Sequence, residues 1–220
     1  MSNARRRALK VLAGVVGVGA ATIAGGASWL VTKTREDKLD YELPDIERAA
    51  TLPPTPACGD AATLAQTEGP YYTPDTPFKP SLLEPGMRGQ RLVFKGRIVT
   101  TDCQPVAGAV LDVWSCDADG VYHNDDYTLR GHVFTDAEGR FEIETIKPAK
   151  YTDFDFFRTP HLHVKLQGKG TALLTTQVYF PGEASNAEDG IYDESLLMVL
   201  SEQDDGSMVG EFDFVLERAA

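Results

Sequence analysis

The residues best equipped for chemistry are concentrated in Arg158-Thr159-Pro160-His161-Leu162-His163-Val164. Successive side chains of a β-strand point to opposite faces, so His161 and His163 project from one face, close enough to share a metal ion. His-x-His is therefore a candidate chelating pair. The plainer alternative is two partly buried imidazoles with ordinary hydrogen bonds. The chain has two other histidines, His123 and His132, and Tyr122, Tyr127 and Tyr151 lie near the four in sequence. Taken singly, a loop tyrosine reads as a half-buried ring with a wet hydroxyl. Asp117 and Asp119 hint at calcium, but an Asp-x-Asp-Gly turn without further ligands is an ordinary turn.

These residues need a scaffold, and the pattern around them is β-rich. Val164 and Leu166 continue the strand of the histidine pair, and Leu173 to Phe180 is a second β-rich run one short loop away. Upstream, Leu92–Val99 and Val110–Trp114 read as strands joined through a Pro- and Gly-containing connection around Asp102 to Gly108. His132–Thr135 and Arg140–Ile146 flank the turn Asp136-Ala137-Glu138-Gly139 and are expected to form a hairpin. Val209–Leu216 alternates apolar and polar residues and closes the sheet, and Glu194–Leu200 is the one helical candidate. The expected fold is all-β, a sandwich of two mainly antiparallel sheets with functional loops and few short helices.

At 220 residues and 42% hydrophobic content, one domain plus a leader fits better than two domains. Arg5-Arg6-Arg7 and Lys10 precede an apolar run from Val11 to Val31, the layout of an export signal. The order Arg5-Arg6-Arg7-Ala8-Leu9-Lys10 resembles a twin-arginine signal, and the Gly and Ala content of the run suits that route. Cleavage after Ala27 and retention of residues 11–31 as a membrane anchor both stay open, since about 20 apolar residues can span a bilayer. Residues 32–60 are charged and then Pro-rich and read as a linker, leaving 61–220 as the folded body. Setting residues 1–38 aside leaves 14 basic against 31 acidic residues, net −17, which argues against a nucleic-acid partner. In an oxidising compartment, Cys58, Cys103 and Cys116 permit one disulfide. Val106–Trp114 reads as a strand of about 30 Å that keeps Cys103 and Cys116 apart. Cys58 with Cys103 is then the preferred pair, with three free thiols as the alternative.

Several spaced motifs carry a resemblance. Phe94-x-Gly96-x-Ile98, Pro105-Val106-x-Gly108-Ala109-Val110-x-Asp112-Val113-Trp114 and Asp117-Ala118-Asp119-Gly120-Val121-Tyr122 come first. Thr145-Ile146-Lys147-Pro148-x-x-Tyr151, Arg158-x-Pro160-His161-Leu162-His163 and Thr175-Thr176-Gln177-Val178-Tyr179-Phe180 follow. In this order, from about Gln66 to Phe180, they resemble the intradiol ring-cleavage dioxygenases, the family of protocatechuate 3,4-dioxygenase and catechol 1,2-dioxygenase. The resemblance implies one Fe(III) per chain held by Tyr122, Tyr151, His161 and His163. Two hard phenolate donors beside two imidazoles suit a ferric ion, and zinc would make no special use of tyrosine. It also implies a catecholic substrate and O2, cleavage to a muconate-type diacid, and Tyr151 as a local base. Arg158 would stabilise charge on the ring and Gln177 would support the site; a surface salt bridge and a strand hydrogen bond are the plainer readings of these two. Thr67-Glu68-Gly69-Pro70-Tyr71-Tyr72 is similar to the family's segment over the pocket mouth, which makes Gly69, Pro70 and Tyr71 substrate-facing. The chain lacks the long helical N-terminal segment that catechol 1,2-dioxygenases use for dimerisation, so it looks like an exported, core-only branch in which a homodimer stays open. A copper or zinc superoxide dismutase-like site would need more than four histidines, and a non-catalytic binding module would leave Tyr122 and Tyr151 unexplained.

Overall fold

The computed structural model describes residues 61–153 and 156–219. The proposed leader, anchor and linker and Cys58 lie outside the described residues. The described residues form eleven strands: β1 Arg91–Thr100, β2 Val110–Trp114, β3 Arg130–Phe134, β4 Arg140–Ile146, β5 Tyr151–Asp153, β6 Phe156–Arg158, β7 His161–Gln167, β8 Leu174–Tyr179, β9 Val199–Glu202, β10 Met208–Glu211 and β11 Phe214–Leu216. One sheet runs β11-β1-β10-β9 with β4 also paired to β1; the other runs β3-β2-β7-β8. β5 and β6 form a separate two-stranded ribbon. No helix of the described residues is long and apolar enough to cross a membrane.

The two sheets share one core, as a sandwich requires. Leu92, Phe94 and Ile98 of β1 and Phe141 and Ile143 of β4 meet Leu111 and Val113 of β2, Leu162, Val164 and Leu166 of β7 and Val178 of β8. Every other residue of these strands faces inward, so the period-2 pattern sets which face is buried. The expected all-β sandwich is what forms, and most pairings are antiparallel. The exceptions are β10 and β11, which run parallel to β1.

Four local expectations need correction. The turn at Asp136–Gly139 is closed by its own hydrogen bonds, but β3 and β4 do not form a hairpin. β3 pairs with β2 and β4 with β1, so this turn is a corner between sheets. Val209–Leu216 is two strands in a single register against β1, broken at Phe212-Asp213. At the break the Asp213 carboxylate, not a backbone carbonyl, takes the Arg97 N–H at 2.7 Å. Gly96 is required opposite it, because a Cβ there would lie 1.8 Å from the Phe212 carbonyl oxygen. The helical candidate is only the 3-10 turn Glu194–Leu196, after which the chain extends into β9; a second 3-10 turn, Ala184–Glu188, went unanticipated. Finally, β2 starts at Val110 instead of Val106, because Gly108 adopts φ +66 in a turn. Cys103 is nonetheless disulfide-bonded while Cys116 is free and buried, so those two are not partners.

Candidate functional site

The face of the β3-β2-β7-β8 sheet turned away from the core carries the candidate site residues His161, His163 and Gln177. Residues paired across strands share a face, and the register lines up Arg130, Trp114, His163 and Gln177 in one row across all four strands. His132, Asp112, Lys165 and Thr175 form the next row, and His161 pairs with Tyr179 beyond the histidine row. The alternation that buries Leu162 and Val164 therefore puts His161 and His163 together on the opposite face.

Loops and the β5–β6 ribbon roof this face and bring two tyrosines to the histidines. Four rings close a circuit: Tyr122 to Tyr151 at 5.4 Å between centroids, Tyr151 to His161 at 5.8 Å, His161 to His163 at 4.7 Å and His163 to Tyr122 at 6.2 Å. His161 Nδ1 lies 2.6 Å from the Thr159 carbonyl. A carbonyl only accepts, so this nitrogen carries the proton and Nε2 keeps its lone pair. The His161 and His163 Nε2 atoms are 3.1 Å apart. Trp114 stacks on His163 at 4.8 Å and fixes its ring.

This donor set fits a metal ion. Metal–imidazole bonds of about 2.1 Å meeting near a right angle place their nitrogens about 3 Å apart, close to the observed separation. The Tyr122 hydroxyl is buried with no hydrogen-bond partner, as is His163 Nδ1. Such an orphaned phenol is costly unless a further group satisfies it. Burial, followed by the neighbouring Tyr151, holds the Tyr122 phenol well above its ordinary pKa. Burial also raises Tyr151, with the neighbouring Tyr122 hydroxyl and then Arg158 opposing it. Bound multivalent charge reverses that logic and favours phenolate. No group of three or more His, Cys, Asp or Glu among the described residues could hold a metal, so a metal centre here depends on the tyrosines. His123 pairs instead with Asp117 at 2.9 Å, and His132 Nδ1 donates to the Thr76 carbonyl at 2.8 Å.

Both histidines are held neutral. Burial and then Arg158 lower His161 to about 3, and burial and then His161 push His163 well below the ordinary range. In the unfolded chain histidine titrates near 6.5. Below that pH the unfolded state binds protons that the folded state refuses, so stability present above about 6.5 is lost as pH falls towards about 3. The metal-free protein should show urea midpoints that drop between pH 7 and pH 4, and His161→Gln should flatten the profile. An equally steep profile in that variant would refute this origin.

Arg158 ends β6 and pairs across the ribbon with Tyr151. It is buried, not the surface charge of the plainer reading. Its Nε donates to Asp189 Oδ2 at 3.0 Å, its Nη2 to Gln177 Oε1, and Asp189 Oδ2 also accepts from Thr159 N at 3.0 Å. Gln177 in turn donates to the Thr67 carbonyl at 3.1 Å, so it links Arg158 to the segment that roofs the site. That segment passes over His163: a Cβ on Gly69, which has φ +72, would sit 3.5 Å from His163 Cε1. Pro70 is exposed. Tyr71 stacks on Tyr122 at 4.3 Å with 9° between planes, and its hydroxyl donates to Asp153 Oδ2 at 2.7 Å. Tyr72 and Thr76 donate to Asp112, and Lys165 bonds Glu68 at 2.5 Å, tethering the segment at both ends.

Sequence reasoning missed Arg130, Asp189 and Asp153. Arg130 is fully buried without a carboxylate partner among the described residues and donates to the His123 and Tyr71 carbonyls at 2.8 and 2.5 Å and to Asn124 Oδ1, which pins the Tyr122 loop to the Tyr71 segment. Its only trace in the sequence is a charge beginning a strand whose next alternate residue, His132, is also polar. Asp189 and Asp153 sit in irregular or very short elements, where no periodicity marks them.

A family model described as Dioxygenase matches residues 67–218. The chain is 30% identical over 204 residues to chlorocatechol 1,2-dioxygenase of Pseudomonas sp. (strain P51), covering 82% of this chain and 77% of that protein. Among solved structures it resembles the dioxygenase domain of a dioxygenase carbohydrate-binding protein fusion from Streptomyces sp. SirexAA-E. That match has 41% identity and a TM-score of 0.67, and covers 72% of this chain and 100% of that one. It also resembles 3-chlorocatechol 1,2-dioxygenase of Rhodococcus opacus 1CP, with 27% identity and a TM-score of 0.68 over 79% of this chain and 78% of that one. With the family model spanning most of the chain and the sandwich shared with solved relatives, this protein belongs to the intradiol ring-cleavage dioxygenases.

Proposed function

We propose that the protein is a ferric enzyme that opens a catechol ring between its two hydroxylated carbons, adding both atoms of O2 to give a muconate-type diacid. The observation carrying this reading is the closed circuit of Tyr122, Tyr151, His161 and His163, with convergent imidazole nitrogens and an orphaned buried phenol. These four residues would hold the iron. When bound, ferric iron supplies an acceptor that draws electron density from the catechol and opens its ring to O2.

The chain's own groups do the rest. Tyr151 is less deeply buried than the histidines and begins the ribbon, which supports a role in which its oxygen, as phenolate beside bound iron, would take a proton from the incoming catechol. Tyr122 has its hydroxyl sealed and its ring clamped by Tyr71, and it stays in place. The Arg158 guanidinium, immobilised by Asp189 and Gln177, stabilises negative charge on the ring as it forms. Gly69 lets the roof lie close over His163 and exclude water. No external reductant is needed, because catechol and O2 together contain every atom and electron of the diacid.

The test is a visible spectrum of the iron-loaded protein combined with oxygen uptake on a panel of catechol, hydroxyquinol and substituted catechols. The expected result is a burgundy tyrosinate-to-iron band, one iron per chain, and one O2 consumed per ring opened. A colourless protein, a blue-green copper spectrum, or absence of uptake across the panel would overturn the proposal.

A further inference from the structure

Asp153 is the unassigned carboxylate of the site. It lies two residues after Tyr151 on β5, so both side chains leave the same face of the strand. Its Oδ2 accepts the Tyr71 hydroxyl at 2.7 Å, and Tyr71 lies flat on Tyr122 and edge-on to Tyr151 at 6.5 Å. The carboxylate is thus set where the roof segment meets the ribbon, beside both tyrosines of the circuit. Tyr71 is the donor in its bond to Asp153, so it orients the carboxylate without adding a charge of its own.

Among the described residues Asp153 has no ion-pair partner, Lys150 included, and Arg158, Arg130, Lys165 and Lys147 are bonded elsewhere. Arg158 is paired with Asp189 at 3.0 Å. Arg130 is fully buried and donates to two carbonyls and Asn124. Lys165 is bonded to Glu68 at 2.5 Å, Lys147 to Glu183 at 2.5 Å, and the Lys150 ammonium lies 5.9 Å from the Phe157 ring centre. A catechol seated against the circuit therefore has beside its ring a fixed carboxylate that no ion pair neutralises among the described residues.

We infer that Asp153, oriented by Tyr71, makes this site select catechols whose ring carries no anionic group, and discriminate against ring carboxylates of the protocatechuate type. Hydroxyl or other neutral hydrogen-bond donors on the ring are tolerated, because Asp153 retains acceptor capacity beyond its bond to Tyr71. The inference rests on the ferric ring-cleavage reading above.

The experiment is an anaerobic titration of the iron-loaded protein with catechol and with protocatechuate, reading the ratio of their dissociation constants without turnover. The wild type should favour catechol, and Asp153→Asn should shrink that ratio about tenfold, the scale of one screened like-charge repulsion. Asp153→Lys should shrink it further or invert it. Differences in the intrinsic iron affinity of the two rings cancel when variant and wild-type ratios are compared. A wild type that binds protocatechuate as well as catechol, or an unchanged ratio in Asp153→Asn, overturns the selection while leaving ring cleavage standing. A protein that holds iron but binds neither compound overturns the ring-cleavage reading, and the selection falls with it.

Discussion

His163→Ala should yield a folded but colourless protein with ring cleavage lowered about 10⁴-fold or to background, since removing one member of a unit that acts together costs nearly as much as removing all of it. His163 is 1% exposed, stacked on Trp114, edge-on to Tyr122 and roofed by Gly69, with its Nε2 3.1 Å from that of His161. No neighbouring side chain stands ready to replace its nitrogen. Gln177 is adjacent in the register, but its amide is occupied by Arg158, Tyr179 and the Thr67 carbonyl. The substitution also leaves a void under the roof, and large-to-small changes in buried sites cost about 2–5 kcal/mol. The two effects separate in a melting experiment. The metal-free variant should melt below the metal-free wild type through the void, and added iron should raise the wild-type midpoint but not that of the variant. Iron retained at one per chain with its colour intact would remove His163 from the ligand set.

The parts of this protein that could be read from sequence are those with a period. Leu92-Val93-Phe94 and His161-Leu162-His163-Val164 alternate, and alternation alone assigns each side chain to the core or to the opposite face. The joint placement of the two histidines is therefore a consequence of burying Leu162 and Val164. Tyr122 and Tyr151 lie outside that logic. They occupy a loop and the first residue of a three-residue strand, and only motif resemblance singled them out. The hairpin expected at Asp136–Gly139 failed for a related reason: a turn sequence fixes a local reversal, whereas the sheet each flanking strand joins is decided by packing. Asp153, Asp189 and Arg130 were hidden because their roles lie in partners 82, 31 and 59 residues away in the chain.

Arg158→Ala should retain iron and colour, because none of the four circuit rings is removed, yet lose about 10²–10³-fold in kcat, the usual cost of deleting an electrostatic stabiliser. The burial of the pair adds a consequence for stability. The Arg158 and Asp189 side chains are 11% and 1% exposed, so the alanine variant strands a carboxylate in the interior. Breaking a buried pair from one side costs about 3–5 kcal/mol. The backbone N–H groups of Thr159 and Ile191 still donate to Asp189 at 3.0 and 3.1 Å, which places the expected loss towards the lower end of that range. A fall in activity could then reflect either lost charge or a loosened ribbon, since Arg158 also faces Tyr151 across β5 and β6. Pairing the substitution with Asp189→Asn resolves this. The double variant no longer carries the stranded charge and should regain much of the lost stability while kcat stays low. Arg158→Lys, which keeps a charge but not the fork that engages Asp189 and Gln177 together, should fall between wild type and alanine in kcat with KM little changed. If the double variant recovered full turnover along with its stability, Arg158 would be a structural tether of the ribbon and its role at the ring would be lost.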